Sequence, residues 1–166
     1  MDPLAHFHSF ARYNAWANRR LYAACAELPA AELAAPRVTF FGSILNTLNH
    51  VLVGDRIWAA RIEGADPGIK ALDTILYADF ADLRTAREQE DAGLIARIDA
   101  LDAHDLNRDI VYRSTTMVEN RSRLHEILAH LFNHQTHHRG QVHACLSGTA
   151  VSPPPLDLMF FLREGR

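Results

Sequence analysis

The chain has 166 residues, 48% hydrophobic and 22% charged, a balance that suits one globular domain over residues 1–166 and argues against disorder. A formal net charge of −3 gives no electrostatic reason to expect nucleic acid binding. No apolar run approaches the roughly 20 residues needed to cross a bilayer, and the opening segment lacks the basic and apolar regions of a signal peptide, so a cytoplasmic protein is expected.

Four long helical segments are predicted in chain order. In the first, from Pro3 to Leu28, Leu4, Phe7, Ala11, Leu21, Cys25 and Leu28 recur at helical spacing until Pro29 stops the helix. The second runs from Ser43, a plausible N-cap, to Ile62, with an apolar stripe of Ile44, Leu48, Val51, Leu52, Trp58 and Ile62. The stretch Gly64 to Lys70 reads as a loop.

The third helix is expected to begin after Asp73 or Thr74, because Leu76, Phe80, Leu83, Leu94 and Leu101 follow a seven-residue repeat. Arg87 and Glu90 fall on the same stripe. Two charges at inward positions imply either a polar cavity or helix curvature, and curvature is the favoured reading. Between His104 and Asn120, β-branched residues and weak alternation predict a long connection containing a short hairpin. The fourth helix is read from Arg121 to Leu146, ending before Gly148. Three prolines follow, then a tail, LDLMFFLRE, expected to pack back as one or two helical turns.

The fold class is therefore all-α, a four-helix bundle with a long crossover connection and a short hairpin before the last long helix. The third connection is long enough to cross the bundle, so a simple up-down-up-down order is not assured. Cys25 and Cys145 are far apart and show no CxxC spacing, which favours two buried thiols over a disulfide.

Histidine is the compositional anomaly: the chain has ten, five of them between His125 and His138. Residues four apart on a helix stand one above the other, so two imidazoles at that spacing can share one cation. The fourth helix offers two such pairs, His130 with His134 and His134 with His138. Its apolar stripe, Leu124, Leu128, Leu131, Val142 and Cys145, places His138 inward and His134 at the edge. His130 and His137 are rotated outward, and His125 and His143 lie on another side. Gln135 also points inward, where it can hydrogen-bond in the same pocket.

Buried, hydrogen-bonded histidines without a metal are the competing reading, but two inward imidazoles must both be satisfied away from water. That favours a metal. A third ligand must come from another helix, with His50 and Asp55 as the candidates. His50 lies off the main stripe, on a second side shared with Val53 and Ile57, and the periodicity does not decide whether it is internal. Asp55 lies near the main stripe and has three open roles: ligand, supporting partner of a ligand, or surface partner of Arg56 or Arg61. The chain has neither HExxH nor paired ExxH motifs, which counts against zincin and di-iron sites. It also lacks a G-x-S-x-G elbow and a P-loop.

The segments YNAWANRRL (13–21), GSILNTLNHVLVGDRIWAAR (42–61), HLFNHQTHHRGQV (130–142) and the tail PPPLDLMFFL together resemble the DinB-like (YfiT-like) family of bacterial four-helix bundles. The resemblance covers nearly the whole chain. It implies a bundle with crossed connections and a three-histidine site, His50, His134 and His138, for one divalent cation, commonly zinc or nickel. It also implies frequent homodimers. Some relatives transfer low-molecular-weight thiols or isomerise maleylpyruvate with mycothiol, and many have no assigned activity.

The expectation is a metal-dependent enzyme, with thiol transfer to a small electrophile as the favoured chemistry. The alternatives are a non-enzymatic metal-binding stress-response protein and a metal-dependent hydrolase. No catalytic side chain is assigned. Arg139 or Arg61 is a candidate for holding an anionic substrate, although a solvated surface position is the favoured reading for each.

Overall fold

The computed structural model describes residues 2–164; Met1, Gly165 and Arg166, included in the single domain read over 1–166, lie outside the described residues. Asp2 caps the first helix, α1 (Pro3–Cys25), by accepting from the Leu4 amide at 3.0 Å, with Pro3 at the first helical position. A short helix, α2 (Ala30–Ala34), follows Pro29. Ser43 caps α3 (Ile44–Ile62), its hydroxyl accepting from the Asn46 amide at 3.1 Å.

The next helix, α4 (Phe80–Asp99), starts later than the periodicity predicts, after Asp79, whose carboxylate accepts from the Ala81 and Asp82 amides. The reason is tertiary. Asn49 of α3 takes the Tyr77 amide at 2.9 Å and donates to the Tyr77 carbonyl at 2.9 Å, holding that segment out of a helix. A hairpin follows, with β1 (Asp109–Arg113) antiparallel to β2 (Glu119–Arg123). The second strand extends through Arg123, so the last long helix, α5 (Leu124–Leu146), begins at Leu124 rather than Arg121. The tail forms α6 (Leu158–Glu164). The chain is thus mostly helical, with one small two-stranded sheet.

Each long helix crosses two apolar clusters. One is built around Leu21, Leu52, Leu83 and Leu146, the other around Phe7, Leu94, Ile98 and Leu128. Helices α1 and α5 run from the second cluster to the first, while α3 and α4 run from the first to the second. The order is therefore up-down-down-up. Helix α1 packs on α4 and α5, and α3 packs on α5 and α4, so α1 sits diagonal to α3 and α4 to α5. The connection that returns along the length of the molecule is residues 63–79, not the hairpin-bearing third connection.

Between the clusters lies a buried polar layer with contributions from all four helices. Arg87, 1% exposed, pairs with Asp55 and approaches Asp91 at 2.9 Å. Asn14 and Asn18 donate to Asp91 at 3.2 and 3.0 Å. Gln135 donates to Asp55, and Arg139 to Asn14 and to Thr136 at 3.2 Å. The curvature expected to explain Arg87 is thus corrected, because the inward charge is held by carboxylates on two helices. Glu90, the other stripe charge, faces Arg56 at 3.5 Å and Arg97 at 3.6 Å.

Candidate metal centre

The site forms where α3 and α5 pack side by side. Helix α3 is buried on both sides, with Leu48, Leu52, Val53 and Ile57 all at or below 2% exposure, so His50 is internal at 5%. On α5, His138 is buried and His134 half-buried, while His130 and His137 are exposed. The structure brings His50, His134 and His138 together: one ring nitrogen of each lies within 4.8 Å of the others. His50 Nε2 and His134 Nε2 are 3.0 Å apart.

In two of the three rings the other nitrogen is occupied in a way that leaves Nε2 free. His50 Nδ1 donates to the Leu72 carbonyl at 2.8 Å, and His138 Nδ1 to Gln141 Oε1 at 2.8 Å. Each bond places the proton on Nδ1 and leaves the Nε2 lone pair for a ligand role, the usual supporting arrangement for metal-bound histidine. Phe41 stacks on the His50 ring at 3.9 Å and meets His138 edge-on at 5.7 Å, closing one side with apolar surface. Gly54 opens space for His134: a Cβ there would stand 2.9 Å from His134 Cε1.

Burial lowers all three imidazoles below the usual histidine pKa. For His50 the Leu72 carbonyl partly opposes it, and for His138 the Gln141 amide does. His134 is pushed furthest, to about 3, by burial first and then by its histidine neighbours His138 and His50. The rings are therefore neutral near pH 7, the form that binds metal. Nitrogens about 2.0–2.1 Å from zinc at tetrahedral angles stand roughly 3.4 Å apart, and the observed spacing brackets that value. The donor set fits one divalent cation.

A family model described as DinB family matches residues 2–165. The chain belongs to the DinB family. It is also similar to Protein DinB of Bacillus subtilis (strain 168), with 26% identity over 156 residues covering 90% of each chain.

The other candidates of this DinB-family chain fall elsewhere. Asp55 stays out of the donor cluster and pairs with Arg87 and Gln135, not with Arg56 or Arg61. Gln135 is fully buried, but in the polar layer rather than in the histidine pocket. Arg139 is also corrected: at 4% exposure it is a core residue stacked over Tyr13 at 5.5 Å, not a solvated one. Arg61 lies half-buried over Trp58 and Tyr112, at 4.7 and 5.0 Å, and donates to the Arg113 carbonyl at 2.9 Å. No described helix is long and apolar enough to cross a membrane.

Three supporting residues escape the periodicity argument: Asn49, Gly54 and Phe41. Gly54 carries a readable signal, since glycine inside a long apolar helix is costly unless something needs the space. Asn49 and Phe41 carry none, because their partners come from distant segments.

Proposed function

We propose that this DinB-family protein is a metal-dependent enzyme that transfers a low-molecular-weight thiol to a small electrophile, with zinc or nickel held by His50, His134 and His138. The observation that carries this reading is the donor set, three neutral imidazoles converging from two helices, with the Nδ1 atoms of His50 and His138 tied down. Three protein ligands leave at least one position for an exogenous group, the arrangement of a catalytic rather than a structural site. A divalent cation bound there supplies the charge that ionises a thiol near neutral pH.

The chain's own residues do the rest. His50 and His138 are held in one orientation by Leu72 and Gln141, so little reorganisation accompanies binding. Phe41, with the exposed rings and side chains of Phe40 and Leu72 nearby, offers apolar surface at the centre. That surface favours an electrophile with an apolar body. We read the four long helices as one four-helix bundle of the DinB type, in one cytoplasmic domain that assembles as a homodimer.

The test compares the metal-loaded wild type with His138→Ala, assayed with several thiols and electrophiles and with metal content measured alongside. The wild type should carry about one equivalent of metal and show thiol-dependent turnover, and the variant should lose both. Equal rates would remove the metal from the mechanism. One bound metal with no turnover would point to the non-enzymatic stress-response reading, and turnover without added thiol to the hydrolase.

A further inference from the structure

Arg61, the basic residue in the last turn of α3, borders an open cleft of about 690 Å³ between the start of the 63–79 connection and the hairpin, within the size range of small-molecule sites. Its guanidinium lies over the Trp58 and Tyr112 rings, at 4.7 and 5.0 Å, and Nη2 donates to the Arg113 carbonyl at 2.9 Å. Nε is buried without a partner. Nη1 makes no hydrogen bond to a described residue and is not buried, so it is the nitrogen open to the cleft.

No carboxylate among the described residues pairs with this cation. Glu63, two residues on, pairs with Arg97 at 2.7 Å, and Asp66, on the cleft wall, accepts from the Gly68 amide at 2.9 Å. Glu119 also borders the cleft but stands opposite Arg113 in the strand register. Counting the whole wall, three cations, Arg61, Lys70 and Arg113, face two carboxylates, Asp66 and Glu119. Burial lowers the Arg61 pKa, opposed by Tyr112 and by no carboxylate. The two rings and the C-terminal end of α3 offset part of the cost of desolvating the guanidinium. Neither brings a full negative charge, and water at Nη1 brings none. What Arg61 lacks is an anion, and the surface beside it is apolar, formed by Ile69, Val111, Tyr112 and Met117.

We propose that this cleft binds a small organic acid with an apolar body, its carboxylate accepting from Arg61 Nη1 and its body lying against Ile69, Val111 and Met117. Lys70 adds positive charge at the same wall. None of the three clustered histidines lines the cleft, yet it adjoins their centre. Gly54, against which His134 rests, lies seven residues before Arg61 on α3, two turns or about 10 Å along the helix. His130 bridges Trp58 to His134, with ring centroids 5.2 and 5.9 Å away. The site does not depend on the metal chemistry, because Arg61 carries the acid. A hydrogen bond between charged groups contributes tenfold or more in affinity over a neutral isostere.

The probes are 3-phenylpropanoate, its neutral amide, and acetate, titrated into the full chain by calorimetry and by amide chemical-shift mapping. Because a carboxylate can also bind a metal, the chain is used both metal-loaded and after EDTA treatment followed by dialysis to remove the chelator. We expect saturable 3-phenylpropanoate binding with shifts centred on Arg61, Ile69 and Tyr112, the same in both preparations. The amide, which lacks the charge, and acetate, which lacks the body, should each bind at least tenfold more weakly. Arg61→Met removes the charge and should weaken 3-phenylpropanoate at least tenfold, while the wild-type shift map locates the site independently of that variant. The proposal is overturned by absence of saturable binding in the wild type, by shifts centred on His50 and His138, or by acid and amide binding equally. Acetate binding as tightly as 3-phenylpropanoate, or undiminished binding to folded Arg61→Met, would overturn it as well.

Discussion

At the scale of single residues, the histidine centre depends on an atom that is absent. Gly54 has no side chain where a Cβ would press on His134 Cε1 at 2.9 Å. Gly54→Ala should improve the intrinsic helix propensity of α3 by up to about 1 kcal/mol yet displace the His134 ring. We expect a loss of roughly 10–100-fold in metal affinity, the range for disturbing the support of a ligand, with the helical circular-dichroism signal retained. Calorimetric zinc titration of the two proteins decides it, and unchanged affinity would show that His134 adapts.

The two cysteines make a second residue-scale case. Both are free thiols: Cys25 is fully buried and Cys145 partly so. Burial disfavours the thiolate, and the Cys25 thiol is pushed up to about 12. The thiolate is the reactive form, so Cys25 should resist a disulfide reagent at pH 8 and react only once the protein unfolds. Counting thiols with Ellman's reagent before and after denaturant should give at most one accessible thiol, Cys145, then two.

At the scale of elements, the polar layer ties α3 to α4 through Arg87. Removing one partner of a buried ion pair strands the others, at a typical cost of about 3–5 kcal/mol. Arg87→Met should therefore cost that much in urea unfolding at pH 8. The loss should shrink at lower pH, and the sign follows from Asp55. That carboxyl is already pushed up to about 6, by burial first and against Arg87, with Asp91 and Glu90 nearby adding to the rise. Without Arg87 its folded value rises further above the unfolded one. The folded variant then binds the extra proton as pH falls through that value, which stabilises it. A deficit of equal size at pH 5 and pH 8 would mean that Asp55 is not the group left stranded.

At the scale of the whole molecule, distant segments complete the structure. The connection 63–79 delivers the Leu72 carbonyl to His50, and Asn49 fixes its path through Tyr77. At the opposite side of α1, the tail helix α6 covers an aromatic cluster. Phe161 packs on Tyr13 and Trp16, each at 5.9 Å, and Trp16 Nε1 donates to Glu164 at 2.6 Å. Truncation after Pro155 uncovers both rings and should lower stability by about 2–4 kcal/mol. Red-shifted Trp16 fluorescence in the folded state should accompany it. A truncated chain that matches the full one in both respects would show that α6 is a passive appendage.

What the sequence by itself determined are the features carried by local periodicity. Apolar spacing places three of the four long helices within about three residues of their observed ends, because capping by Asp2 and Ser43 and the apolar stripes are local properties. Helical phase likewise separates His138 and His134 from the exposed His130 and His137. The start of α4 was misplaced because Asn49, far away in the chain, competes for the Tyr77 backbone. For Arg87 the pattern favours curvature over a polar cavity for the same reason, since its carboxylate partner Asp55 lies on another helix. Only the tertiary structure decided that His50 faces His134, that Arg139 is buried, and that α3 and α4 run in the same direction. A helix's own pattern records which face is covered, but not which neighbour covers it.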